Sequence, residues 1–395
     1  MDFRDSHAEA AFRAEARAFL EAHAPRGGLD YATAEADEAG YLARSRTWQR
    51  TLFEHGWAAL TWPKALGGRG LGPIEQIVWN RELGRLRIGE SIFVVGIGMA
   101  GPTLIAHGSE EQKARLLPPM LRGDEIWCQL FSEPGAGSDL AAVATRAERD
   151  GDGWRLTGQK TWCSGGHYAA FGICLARSDP SLPKHKGLSY FLVDMRAAGV
   201  EVRPLRQMTG GSHFNEVFLD GVRVPDTMRV GPVGGGWSVA MTTLMNERMA
   251  IGGIERMFSF EELAAAARER RERLDPLLRD ELALLWCRVR SLELLNARVL
   301  TKLSRGAIPM AESSVMKLAI ARILSQAGEI GLRLEGADAL LGAGRWQRQF
   351  LFAPSIHIAG GTDEIQKNVA AERVLGLPRE PGNDREIPFE RLPRS

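Results

Sequence analysis

Between about residues 124 and 230 the sequence changes texture, and that change constrains the fold more than any other feature. Short apolar runs at 154–157, 171–176, 188–193, 200–204 and 216–219 have strand length, with little room for a helix. Asp150-Gly151-Asp152-Gly153 and Asp220-Gly221 read as hairpin turns. No helical pattern alternates with these runs, so a small antiparallel barrel or sandwich is expected and a parallel sheet is not.

Both flanks read as helices. Phe12, Ala16, Phe19 and Leu20 recur at helical spacing, and further helices are expected over about 41–55 and 73–84. Ser109 is placed as an N-cap, with Glu110 and Glu111 in the first turn behind it. Beyond the glycine-rich 231–236, periodic segments over about 237–258, 276–305 and 309–341 predict a bundle of four or five helices. The expected organisation is therefore an α+β multidomain chain. A helical domain (1–123) precedes a β-domain (124–230) and a helical bundle (231–376), and the tail (377–395) is read as a surface arm or subunit contact.

Bulk properties narrow the function. A net charge of +1 with 25% charged residues leaves no field to attract nucleic acid. The four cysteines show no CxxC spacing, which fits a reducing compartment, and the eight histidines show no metal-ligand spacing, so no metal is expected. The first residues open an amphipathic helix rather than a basic-then-apolar leader, and no apolar run reaches the roughly 18 residues of a membrane helix. A cytoplasmic protein with no membrane span is the expectation.

One motif points elsewhere. Gly96-Ile97-Gly98-Met99-Ala100-Gly101 matches GxGxxG, but a dinucleotide site needs a βαβ unit around it. Helical flanks favour glycines that serve close packing.

The stretch 131–140, FSEPGAGSDL, follows an apolar strand-like run. Gly135 and Gly137 let backbone approach a ligand, and the Ser132 and Ser138 hydroxyls add donors beside it. EPGAGSD, followed by GQKTWCS at 158–164, closely resembles the flavin-binding motifs of the acyl-CoA dehydrogenase family. The resemblance extends over almost the whole chain, including GSEEQKARLLPPMLRGD (108–124), FNEVFLDGVRVPD (214–226) and GGTDEIQ (360–366).

That resemblance implies FAD bound between the β-domain and the C-terminal bundle, commonly completed by a neighbouring subunit. It maps Gln129, Phe131, Ser132, Gly137 and Ser138, with Trp162, Cys163 and Ser164, onto cofactor contacts. Thr362 and Glu364 match further cofactor contacts, and Ser138 and Arg248 match acyl-CoA contacts. Trp162 has a plain alternative as β-core. The implied reaction is α,β-dehydrogenation of an acyl-CoA to the trans-2-enoyl thioester, a step of fatty-acid β-oxidation and lipid metabolism. An electron-transfer flavoprotein is the implied acceptor.

The sequence departs from the family pattern in three places. The glutamate that many members carry before the Gly-Thr pair is Gly360 here, which has no side chain to take a proton but keeps a backbone N–H for the thioester carbonyl. A second family placement of the base, on the first helix of the C-terminal domain before an arginine, falls on Glu247-Arg248. Asp363 and Glu364 are lesser alternatives. Ala240, Thr243, Ala250 and Ile254 share the helical face of Glu247, and three of the four are small, which suggests room beside it. The arginine that reaches a partner's flavin pyrophosphate has only Arg273 as a candidate, without the usual Phe-Gly. The expected glutamine near 338 is Asp338. A homo-oligomer, or a heteromer with a related subunit that completes the FAD site, is therefore expected. A same-fold oxidase or monooxygenase and a non-catalytic subunit are the alternatives.

Overall fold

The computed structural model describes residues 5–29, 37–86, 88–89, 91–250, 257–304, 312–342, 344–379, 381–382, 384 and 386–392. Contacts divide the chain into two compact units, 1–22 with 73–88 and 252–379, and 23–72 with 89–251 and 380–395.

The second of these holds the sheet. Its helices are α2 (Glu38–Glu54), α4 (Gly101–His107), α5 (Glu110–Arg122) and α6 (Gly236–Ala250). The strands are β1 (Trp127–Leu130), β2 (Arg146–Asp150), β3 (Gly153–Ser164), β4 (Phe171–Arg177), β5 (Leu188–Asp194), β6 (Val200–Leu205), β7 (Phe214–Pro225) and β8 (Arg229–Val230). They run in the order β6-β7-β3-β2-β4-β5-β8, with β1 added beside β4. Most pairings are antiparallel, as expected, but β1 and β4 pair in parallel, as do β2 and β4 through Arg146 and Arg177. Between β1 and β4 the chain makes the β2–β3 hairpin, so this parallel pairing arises without an intervening α-helix.

Gly151 turns that hairpin with φ +61°. Asp220-Gly221 is no hairpin. β7 runs straight through it, and the pairing with β3 slips between Leu156 and Gly158 opposite. Gly221, at φ +60°, sits at a bulge, where a left-handed residue re-aims a long strand rather than reversing it.

The sheet separates two cores. Leu130, Leu156, Cys163, Cys174, Phe191 and Val217 pack with one another on a face covered by the strands themselves. Trp127, Phe131, Leu175, Tyr190 and Leu192 face helical residues such as Met99, Leu104, Leu116 and Ala240. Ser109 caps α5 as expected, its hydroxyl accepting from the Gln112 N–H while the Gln112 side chain accepts from the Ser109 N–H. The Gln112 amide then donates to the carbonyls of Thr227 and Arg229 at 2.7 and 2.9 Å, tying the helix start to β8.

The GxGxxG stretch forms a π-helical run, Val94–Ala100, leading into α4. A Cβ on Gly101 would lie 2.0 Å from Trp62, and one on Gly96 would lie 3.1 Å from Met120. These glycines permit close packing, as the helical flanks implied.

The other unit is helical: α1 (His7–His23), α3 (Pro73–Arg85), α7 (Phe260–Glu269), α8 (Pro276–Ser304), α9 (Glu312–Glu335), α10 (Arg345–Ile358) and α11 (Asp363–Arg373). Leu278, Leu285, Leu292, Ile323, Leu324, Ile330 and Trp346 build its core. Gly328 and Gly331 let α10 approach α9 closely, since a Cβ there would meet Phe350 at 2.8 Å and Trp346 at 2.4 Å. Residues 251–256, including Ile254 and the expected continuation of the helix at 237–258, lie outside the described residues.

Candidate active site

Period-2 alternation along β1 decides which groups meet. Cys128 and Leu130 enter the strand-only core, so Trp127, Gln129 and Phe131 point to the opposite face. There the Gln129 Nε2 lies 3.4 Å from Glu247 Oε2 on α6, across 118 residues of sequence. Glu247 is half-buried.

The helix behind Glu247 corrects one expectation. Ala240 and Thr243 are fully buried. The Thr243 hydroxyl is 2.9 Å from that of Thr103 and 3.0 Å from the Tyr190 hydroxyl. These residues are small because α6 is packed closely, not because a ligand cavity opens beside them. The side chains of Arg248 and Ala250 lie outside the described residues.

The loop after β1 is held by a buried ion pair that sequence reasoning missed. Lys160, on β3 and 0% exposed, donates to Glu133 Oε1 at 2.7 Å and to the carbonyls of Leu175 at 2.7 Å and Phe131 at 3.1 Å. Glu133 also accepts from the N–H groups of Ala144 at 2.6 Å and Thr145 at 3.0 Å. Burial pushes the Glu133 carboxyl up, but Lys160 and these amides outweigh it and hold the group below its usual range. A second tie, from the Thr161 N–H to the Ser132 carbonyl at 2.9 Å, fixes the loop against β3. Lys160 lies within the GQKTWCS motif, but nothing local marks it as buried, because a strand lysine is ordinarily exposed and its three acceptors come from separate segments.

Trp162 is the one described non-glycine residue with positive φ, at +60°, and it is 61% exposed. A left-handed conformation for such a residue costs about 1–3 kcal/mol and persists where the surroundings impose it. The plain β-core reading of Trp162 is thereby set aside. Ser164 and Ser138 are exposed, and space is open around Gly135 and Gly137. Phe131 and Cys163 differ. Phe131 packs edge-on against Tyr190 in the core, and Cys163 is buried on the far face, where desolvation pushes its thiol up to about 12. Only their backbones remain for any ligand. Beyond Ser138, Lys184 bridges Asp139 at 2.6 Å and Asp384 at 2.5 Å, anchoring the loop end to the C-terminal tail.

In the helical unit, Gly360 and Gly361 turn the chain from α10 to α11 with φ +64° and +89°. The Gly360 carbonyl accepts from Gln366 at 2.8 Å, and its N–H has no acceptor among the described residues. Thr362 caps α11, its hydroxyl accepting from the Ile365 N–H. Asp363 is engaged at both oxygens, by Lys317 at 2.9 Å and His357 at 2.7 Å. Burial acts upward on this carboxyl, but those two partners prevail and hold it below the usual range, which makes it a poor base. The Glu364 side chain is 76% exposed, 3.8 Å from Lys367. Arg273 caps its own unit, donating to the Leu334 carbonyl at 2.9 Å and to that of Glu335, and it lies 3.9 Å from Asp338.

Comparison with known proteins decides the family. The acyl-CoA dehydrogenase N-terminal, middle and C-terminal domains match residues 6–124, 128–222 and 234–375. The chain belongs to the acyl-CoA dehydrogenase family. It is 44% identical over 351 residues to acyl-CoA dehydrogenase FadE34 of Mycobacterium tuberculosis, covering 89% of this chain but 48% of that protein's length. Against acyl-CoA dehydrogenase IpdE1 of the same organism it is 39% identical, over 85% of this chain and 88% of the other. Among solved structures, the Tcur3481-Tcur3483 steroid ACAD superposes with a TM-score of 0.84 at 30% identity, covering 96% of this chain and all of that one. The ChsE4-ChsE5 complex from M. tuberculosis gives 0.80 at 27% identity, with 96% of this chain and 100% of the other covered.

The chain is thus an oxidoreductase of a family of FAD-dependent flavoproteins that act in lipid metabolism, and its residues fit that cofactor. The exposed Trp162 offers an aromatic plate on a strained backbone, with Ser164 close by on the same strand, Ser132 tied to the neighbouring Thr161 through its carbonyl, and a loop open at Gly135 and Gly137. Among the described residues no helix is long and apolar enough to cross a membrane.

Proposed function

We propose that this chain oxidises an acyl-CoA thioester between its α and β carbons, giving the trans-2-enoyl-CoA, with Glu247 as the base. The observation that carries the reading is the meeting of the Glu247 carboxylate with the Gln129 amide, two residues that family correspondence assigns to the active site independently of each other. The alternatives are weakened by the same geometry. Gly360 has no carboxylate, and Asp363 is held ionised by Lys317 and His357.

In this reading Glu247 takes the α-proton, and closure of the site around substrate raises its basicity by removing water. The Gly360 N–H donates to the thioester carbonyl oxygen, whose charge grows as that proton leaves. Ser138 and Arg248 hold the CoA portion. Trp162, Ser132, Ser164, Gln129 and Gly137 hold the flavin, joined by Thr362, Glu364 and the backbones of Phe131 and Cys163. When bound, FAD supplies the acceptor for the β-hydride, so that proton and hydride together balance the new double bond. An electron-transfer flavoprotein then reoxidises the enzyme.

Two features support a related second subunit. Arg273 is engaged on its own α9, which leaves the pyrophosphate to another group, and Asp338 stands where a glutamine is usual. The Tcur3481-Tcur3483 steroid ACAD and the ChsE4-ChsE5 complex are named as two-component assemblies, and FadE34 is about twice this length. One of those relatives is a steroid enzyme, so steroid-derived CoA thioesters are the first substrate class to try.

The test is product analysis. The chain, purified alone and with a related subunit, is given short, branched, aromatic and steroid acyl-CoAs with an artificial electron acceptor. An enoyl thioester formed in step with acceptor reduction is expected. Peroxide formed without the acceptor would instead establish an oxidase.

A further inference from the structure

The loop that carries Gly360 is tied down by side chains that have no part in the chemistry above. His357, in the last turn of α10, has Nδ1 2.7 Å from Asp363 and Nε2 3.0 Å from the Ser325 hydroxyl on α9. Lys317, a further α9 residue, donates to the second Asp363 oxygen at 2.9 Å and to the His357 carbonyl at 3.0 Å. His357 precedes the loop and Asp363 follows it, so the network fastens both ends of 358–362 to α9. Between those ends lie two consecutive glycines in the left-handed region, the residue type that loses most freedom on ordering. Such a turn does not stay in one place by itself.

We infer that Lys317, Ser325, His357 and Asp363 form a positioning clamp that fixes the Gly360 peptide, and with it the direction in which its N–H points. This rests on the reading of Gly360 as a donor to the thioester carbonyl. A donor aimed at developing charge is effective only if it is already in place, and a displacement of about 1 Å is enough to slow chemistry a hundredfold.

The order Ser325–His357–Asp363 is also that of a hydrolase triad, and Ser325 and His357 border a cavity of about 640 Å³. Two features argue for the clamp instead. Ser325 lies inside α9, where the helix ladder takes up the backbone N–H groups that an oxyanion needs. Asp363 carries a lysine on its second oxygen, which ties it to the loop anchor.

The experiment compares wild type with Asp363→Asn and His357→Gln in the full chain loaded with FAD, with its partner subunit where loading requires one. Amide hydrogen exchange is followed in peptides covering 355–366, beside anaerobic flavin reduction by substrate. Asp363→Asn is expected to speed exchange at 359–362 about tenfold and to slow maximal reduction about tenfold, with half-saturation changed less than about twofold. His357→Gln keeps a donor and an acceptor at the side-chain end and should recover most of both. Unchanged exchange in Asp363→Asn, or faster exchange with an unchanged reduction rate, overturns the inference. Release of free CoA that stops in Ser325→Ala overturns it in favour of a hydrolase. If no thioester reduces the wild type, the reading of Gly360 falls and the catalytic half of the inference with it. The exchange comparison still decides whether the clamp orders the loop.

Discussion

The loops at 131–140 and 358–363 are both punctuated by glycine, yet they are held by opposite means. The first is centred on an ion pair sealed from water, with Lys160 0% and Glu133 8% exposed. The second hangs on a wetter network in which Lys317, Asp363 and His357 keep 16%, 17% and 34% of their side-chain surface. A desolvated pair sets its geometry strongly but leaves a costly orphan when one member is removed, whereas a solvated one can be released cheaply. The loop proposed to cradle the cofactor is thus built into the stability of the sheet. The loop proposed to aim at the substrate is adjustable almost independently of it.

Replacing Lys160 by Met should have the largest effect, because Glu133 is then buried without its cation. A loss of about 3–5 kcal/mol in denaturant unfolding is expected. The pH dependence sharpens this. The Glu133 carboxyl is held below its usual value, so the pair's contribution is complete above the unfolded carboxylate value, roughly 4.3, and disappears as pH falls through the lower folded value. In the variant the unpaired carboxyl is pushed up and protonates readily. The deficit should therefore be greatest near neutrality and shrink towards about pH 4. A deficit independent of pH would mean that the pair is not the reason.

Lys317→Met, at the other loop, should lower stability by only about 1 kcal/mol or less, measured the same way. A loss as large as that of Lys160→Met would erase the contrast. The smallest stability change is expected for Trp162→Gly. Relief of the left-handed backbone offsets the lost ring contacts with Phe214, so apo stability should stay within about 1 kcal/mol. FAD retention on gel filtration should nevertheless fall. Retention equal to wild type would show that the strained tryptophan has some other purpose.

What the sequence made legible follows from range. Local signals served well: the Ser109 cap, the turn at Gly151 and the strand runs all reappear in the structure. Signals that depend on a distant partner did not. The parallel pairing of β1 with β4 joins strands separated by a whole hairpin, and Asp220-Gly221 has the composition of a turn but the register of a bulge. At the site, resemblance rather than pattern led to Glu247, Gln129 and Gly360. Ala240 and Thr243 behind Glu247 were misread as room because periodicity shows which face a residue occupies, not that Thr103 and Tyr190 meet Thr243 there. Lys160 and His357 were invisible for the same reason, since each acquires its meaning only from groups brought in by folding.

The central claim is that Glu247 is the base, and anaerobic bleaching of the bound flavin by an acyl-CoA substrate tests it most directly. Wild type should bleach, and Glu247→Gln should retain FAD and stay oxidised, its reduction slowed by about 10²–10⁴-fold. Bleaching of Glu247→Gln at the wild-type rate would contradict the assignment.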